Sequence, residues 1–162
     1  MTTAALTYHS DWANGRKAMP NPTGPELVNV LMKLDLTEAQ VDALAANDII
    51  VMGYLPENCA FVDAVCAMTA GIDTGSALDL DFGIIADDEL DFVASTGELQ
   101  NSILVDGTTS LARVTMTEEM LTTVTDGKTR LKLGYKVATA AGTPKAGSLF
   151  LSLSYRASNY GL

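Results

Sequence analysis

The sequence predicts an all-β chain: an antiparallel β-sandwich or jelly roll with one short helix and an extended N-terminal arm. Three observations predict it. Apolar residues alternate with polar ones in short runs, as in Val28-Val30-Met32-Leu34-Leu36 and Leu149-Leu151-Leu153-Tyr155. Turn-forming Gly, Pro, Asn and Asp residues punctuate the chain between those runs. Only one segment carries a helix-start signature. At 162 residues and 48% hydrophobic, the chain suits a single domain able to bury a proper core without staples.

Residues 1–26 differ from the rest of the chain. They hold its one Trp and one His and the cluster Met19-Pro20-Asn21-Pro22-Thr23-Gly24-Pro25. Proline donates no ladder hydrogen bond and biases the preceding residue toward extended backbone, so this stretch reads as an arm, with the sandwich domain over residues 27–162. Trp12 is costly to leave in water. It either anchors the arm on another surface or packs against its own domain.

The first strand expected is Val28–Leu36. Thr37-Glu38-Ala39-Gln40 then has the form of a capping box, introducing a helix over Ala39–Ala46. Asp48–Leu55 is an apolar strand stopped by the turn Pro56-Glu57-Asn58, and Ala60–Thr69 is the next, closed by Gly71-Ile72-Asp73-Thr74-Gly75. Leu78–Phe82 alternates with leucines and Phe82 inward and aspartates outward. Asp87–Phe92 reads as a turn or a short helical segment leading to Thr96-Gly97. Further strands are expected at Leu111–Thr117, Thr129–Thr139 and Gly147–Arg156, with turns at Asp126-Gly127 and Ala141–Pro144. In Thr129–Thr139, Leu131, Leu133, Tyr135 and Val137 share one face and Arg130, Lys132 and Lys136 the other. The threonines and serines at Thr108-Thr109-Ser110 and Thr122-Thr123 suit exposed strands.

Charge is distributed unevenly. The formal net charge is −10, yet between Leu34 and Ala112 there is no Lys or Arg, and that block holds fifteen carboxylates. The last fifty residues, by contrast, carry seven basic groups and three acidic ones. Such a block disfavours nucleic acid and anionic membranes as partners. It is either a solvated face that maintains solubility or a complement to a basic partner.

No run of about 18 apolar residues exists, and the N-terminus lacks a signal-peptide pattern, so synthesis and retention in a cytoplasm are expected. Cys59 and Cys66 are seven apart, which on one continuous strand places them on opposite faces; both read as buried packing residues without a disulfide.

Catalytic signatures are missing. The one histidine, His9, lies in the arm, which argues against Ser-His-Asp and Cys-His chemistry. Phosphate-loop, dinucleotide, esterase-elbow and zinc-peptidase motifs do not occur. A carboxylate pair for glycoside hydrolysis is available, but only 6% of the chain is aromatic, too few for an ordinary carbohydrate cleft. The chain is therefore expected to be a structural or binding protein without catalytic residues, cofactor or resident metal. Asp73, Asp79, Asp81, Asp87, Asp88, Glu89 and Asp91 offer hard oxygen ligands, so a carbohydrate- or calcium-dependent binding module is the alternative, although their spacing matches no EF-hand.

The order of segments carries a further signal. Asp48–Asn58, Phe61–Val65, Asp73–Ile84 and Ala146–Arg156, set within residues 28–157, resemble tailed-bacteriophage capsid decoration, or cement, proteins. The resemblance implies a jelly-roll-like domain on the outer surface of an assembled capsid, often a homotrimer, that strengthens contacts between major capsid protein subunits. Localisation to the virion, after synthesis in the host bacterial cytoplasm, follows from it. The family supplies no catalytic residues. For the arm, the residues themselves suggest the role: Trp12, Arg16 and Lys17 are the candidate contacts to a capsid subunit or a neighbouring protomer.

Overall fold

A computed structural model describes residues 7–20, 22, 26–93, 97–106, 110–125 and 130–158, apart from the side chains of 119 and 121. The expected turn at Asp126-Gly127, the threonines Thr108-Thr109 and much of the proline cluster lie outside those residues.

The described strands are β1 (Thr7–His9), β2 (Val28–Leu36), β3 (Ile49–Leu55), β4 (Cys59–Met68), β5 (Asp79–Ile85), β6 (Glu98–Val105), β7 (Leu111–Arg113), β8 (Leu131–Thr139) and β9 (Gly147–Ala157). They form a sandwich: a five-stranded sheet in the order β1-β3-β8-β5-β6 and a four-stranded sheet in the order β2-β9-β4-β7. All pairings are antiparallel except β1 with β3. The core between the sheets follows the alternation read from sequence. Val30, Met32 and Leu36 of β2, Leu80 and Phe82 of β5, Leu133, Tyr135 and Val137 of β8, and Leu149, Leu151, Leu153 and Tyr155 of β9 all point into it. Buried Tyr135 donates its hydroxyl proton to the Phe150 carbonyl of the opposing sheet at 2.6 Å.

The capping box forms as expected. Thr37 Oγ1 accepts from the Gln40 amide, and Gln40 Oε1 accepts from the Thr37 amide at 2.8 Å. The helix, α1, is shorter than the sequence suggests, Glu38–Ala43, because Leu44 is already extended. The chain then turns through Asn47, whose φ of 76° is in the left-handed region.

Several expectations change. A second one-turn helix, α2 (Glu118–Thr122), follows an N-cap at Thr117, and β7 ends at Arg113 instead of continuing to Thr117. Strand β6 was hidden because its alternation breaks at Asn101-Ser102, where Ser102 has φ 47° and the register with β5 shifts. Cys59 and Cys66 do not face opposite ways. A register shift between Phe61 and Asp63 inserts one residue, so Cys59, Phe61, Ala64, Cys66 and Met68 all face the core. Both thiols are buried and free, and burial pushes that of Cys66 up to about 12.

Candidate functional site

The arm meets the domain at the β3 edge of the five-stranded sheet. Strand β1 runs parallel to β3, with Thr7, Tyr8 and His9 beside Ile49, Ile50 and Val51. Buried Ser10 then locks the chain: its amide donates to the Val51 carbonyl at 3.0 Å and its hydroxyl donates to the Met52 carbonyl. Residues 10–17 form a turn, with Asn14 donating to the Ser10 carbonyl and Gly15 at φ 71°. Of the two placements open to Trp12, the single chain takes the internal one: the ring packs, half-buried, against the core. Met19 is itself buried there, and Tyr155 donates to the Pro20 carbonyl.

Arg16 and Lys17 are brought to this turn as well. The Arg16 guanidinium reaches Asp11 at 3.4 Å while remaining 75% exposed, and Lys17 Nζ lies 5.6 Å from the centroid of the Trp12 ring. Trp12, Arg16 and Lys17 thus form one surface feature, with its aromatic half turned inward and its cationic half outward.

Beside the turn lies a loop, residues 86–93, that packs on the outer face of this sheet. Ile49, Val51, Ile85 and Phe92 form a small apolar cluster under it, with Ala13 of the turn against the cluster. Basic residues of β8 hold the loop down. Lys132 Nζ reaches Glu89 at 2.7 Å and the Asp87 carbonyl at 3.0 Å, and Lys136 Nζ reaches Asp91 at 2.7 Å. His9 Nε2 meets the other Glu89 oxygen at 2.7 Å, so one carboxylate joins arm, loop and sheet. Around this junction is a cleft of about 550 Å³ lined by His9, Tyr54, Glu57, Glu89, Arg130 and Lys132, among others.

Partial burial alone would raise the Glu89 carboxyl, but Lys132 and His9 outweigh it and hold it below its ordinary 4.5. Lys136 holds Asp91 below its ordinary 3.8. Folded groups that release protons more readily than unfolded ones stabilise the structure above the ordinary values, and that contribution is lost as pH falls through the depressed ones. Amide exchange in residues 86–93, corrected for its intrinsic pH dependence, is therefore expected to lose protection as pH drops below 4.5 while the core strands keep theirs. Glu89→Gln should reproduce part of that loss at neutral pH.

The acidic block is neither simply a solvated face nor simply a complement to an outside partner. Many of its carboxylates pair within the chain: Glu38 with Lys145, Glu57 with Arg130, Asp63 with Arg113, Glu89 with Lys132 and Asp91 with Lys136. All five cations come from the basic C-terminal third. Others are buried: Asp48, Asp73, Asp81 and Asp106. The calcium reading loses ligands as a result. Asp73 is saturated by backbone N–H groups, and among the described residues no three His, Cys, Asp or Glu side chains lie close enough to hold a metal. Sequence reasoning missed the His9–Glu89–Lys132 junction because its members are 80 and 43 residues apart. The opposed charges of the two chain regions were the one available signal.

Solved structures that share this architecture include chains of two phage capsids. A chain from the capsid of Ralstonia phage GP4 superposes with a TM-score of 0.74 and 25% identity, covering 93% of this chain and 97% of that one. A chain from the cyanophage Pam1 capsid asymmetric unit superposes with a TM-score of 0.58 and 20% identity, over 86% and 90% of the two chains. No protein-family model matches the sequence, and no curated protein does. Both neighbours are chains of phage capsids; the Pam1 likeness shows the fold, and the GP4 likeness supports a structural protein of a phage virion.

Proposed function

We propose that the chain is a capsid decoration protein: it binds the outer surface of an assembled phage capsid and stabilises contacts between major capsid protein subunits, without catalysis. The observation that carries this reading is the likeness to the GP4 capsid chain over nearly the full length of both molecules. The strand order is a second support. Strands β2–β9 fall as 2-9-4-7 in one sheet and 3-8-5-6 in the other, the connectivity of an eight-stranded jelly roll to which β1 is added at one edge. Many modest contacts repeated by symmetry can reinforce a shell although each is weak. The homotrimer belongs to the same proposal, as does the virion surface as location.

In this reading residues 1–26 act as a distinct arm on a domain of residues 27–162, and the 10–17 turn presents Arg16 and Lys17 to the shell, with Trp12 as the anchor beneath them. The Arg16–Asp11 pair is exposed and contributes little to folding, so reversing these charges leaves the domain intact. Arg16→Glu/Lys17→Glu is expected to weaken co-sedimentation with preassembled shells by about tenfold. Unchanged binding would remove the arm from the contact, and failure of the native protein to sediment with shells would overturn the decoration reading.

A further inference from the structure

The sandwich has four sheet edges, and three of them are blunted. Strands β1 and β7 are three residues each, and β6 is interrupted by two register shifts against β5. Strand β2 differs. Its nine residues pair with β9 in unbroken register, without proline or bulge, and among the described residues its other side has no strand partner. The sheet behind it is open outward as well: Leu31 of β2 and Leu111 of β7 are 61% and 67% exposed. A long, regular, partly apolar edge is a template for a further strand.

We propose that β2 pairs antiparallel with β2 of a second copy about a two-fold axis at Leu34, so that residues 32–36 of the two strands form the seam joining two four-stranded sheets. The charge pattern selects both the occupant and the register. Lys33 and Asp35 project from the outer face, 50% and 70% exposed, and are 2.7 Å apart within the strand. Two copies can pair with core sides aligned only in registers centred on a residue. Centring on Lys33 sets the two lysines against each other. Centring on Met32 sets Lys33 against Leu31 and Asp35 against Asn29. Centring on Leu34 sets each Lys33 against the Asp35 of the other copy, two opposite-charge cross-strand pairs flanking the axis. The strand is also locally neutral in a chain of net charge −10, so copies meet along β2 with less repulsion than an average face of this chain would give. The contact is isologous and independent of any three-fold contact in a trimer.

Sedimentation equilibrium over a wide concentration range, with circular dichroism as the folding control, tests the pairing. The mass of the native species should double as concentration rises, from monomer to dimer or from trimer to hexamer. Lys33→Asp should weaken the association by about tenfold, because it sets like charges opposite each other on both sides of the axis. The double variant Lys33→Asp/Asp35→Lys should restore it, since the swap recreates both pairs. Hydrogen exchange supplies a second readout: β2 amides should gain protection as concentration rises. A mass that does not double at any concentration, association indifferent to Lys33→Asp, or a double variant as weak as the single would each overturn the proposal. So would β2 protection that appears only when shells are added, which would assign the edge to a capsid strand.

Discussion

Asp73→Ala is expected to destabilise the fold by about 3–5 kcal/mol, the range typical of removing a buried charge with several hydrogen bonds. The Asp73 carboxylate is 1% exposed and accepts five backbone N–H groups. Gly75, Ala77 and Leu78 donate from its own loop, at 2.8, 2.8 and 2.9 Å. Gly142 and Thr143 donate from the β8–β9 connection, at 2.9 and 2.6 Å. One side chain therefore ties together two loops that are some seventy residues apart in sequence. Truncation leaves these donors without their common acceptor and unties the two loops. Asp73→Asn should cost nearly as much, since whichever oxygen becomes an amide then aims its own protons at N–H donors. Chemical denaturation at neutral pH measures both.

The same group sets an acid sensitivity. Burial alone would raise the Asp73 carboxyl, but the N–H groups of Gly142, Thr143, Ala77 and Gly75 outweigh it and hold it far below its ordinary 3.8. The folded state therefore binds fewer protons than the unfolded one, so stability is present above pH 3.8 and drains as pH falls below it. In Asp73→Ala the dependence of stability on pH across that acid range should flatten. A native chain whose stability is flat from neutral pH into strong acid would refute the assignment.

Gly134→Val is expected to abolish folding into a soluble product. Gly134 sits in the middle of β8, opposite Val51 of β3 and Gly83 of β5, and a Cβ there would land on the Ile50 carbonyl oxygen and 2.8 Å from Cδ1 of Ile85. The obstructing atom belongs to the neighbouring strand's backbone, so no rotamer change relieves it. Relief requires separating β3 from β8, which removes the ladder that also carries β1. Gly134→Ala, with the smallest added group, should still lower the midpoint of thermal unfolding by roughly 10 °C, taking about 3–4 kcal/mol for the displaced ladder and 2–4 °C per kcal/mol at this size. Thermal melts of both variants beside the native chain would check this. A well-folded Gly134→Val protein would mean that the two strands do not approach as closely as described.

The alternation of Val28–Leu36, Leu131–Val137 and Leu149–Tyr155 was legible in the sequence because a strand's side chains alternate whatever lies around it, and the interior accepts only the apolar half. The capping box at Thr37 and Gln40 was legible for a similar reason: its partners are three residues apart. Strand β6 and the true facing of Cys59 were not, since a bulge adds one residue and inverts every inference from parity downstream. Nor did the sequence reveal that Asp73 is a buried acceptor and not a solvated ligand, because its donors arrive from a distant loop.

By itself, the sequence determined an all-β sandwich with a core of known faces, an acidic middle and a basic last third, because composition and short-range periodicity are local properties. The tertiary structure alone decided where those charges go: Lys132, Lys136, Arg113, Arg130 and Lys145 fold back onto the acidic block. It alone decided that the segment around Trp12 packs on the sheet, and that β2 is the long open edge. These depend on which strands become neighbours, and that is set by how the whole core closes, not by any segment of it.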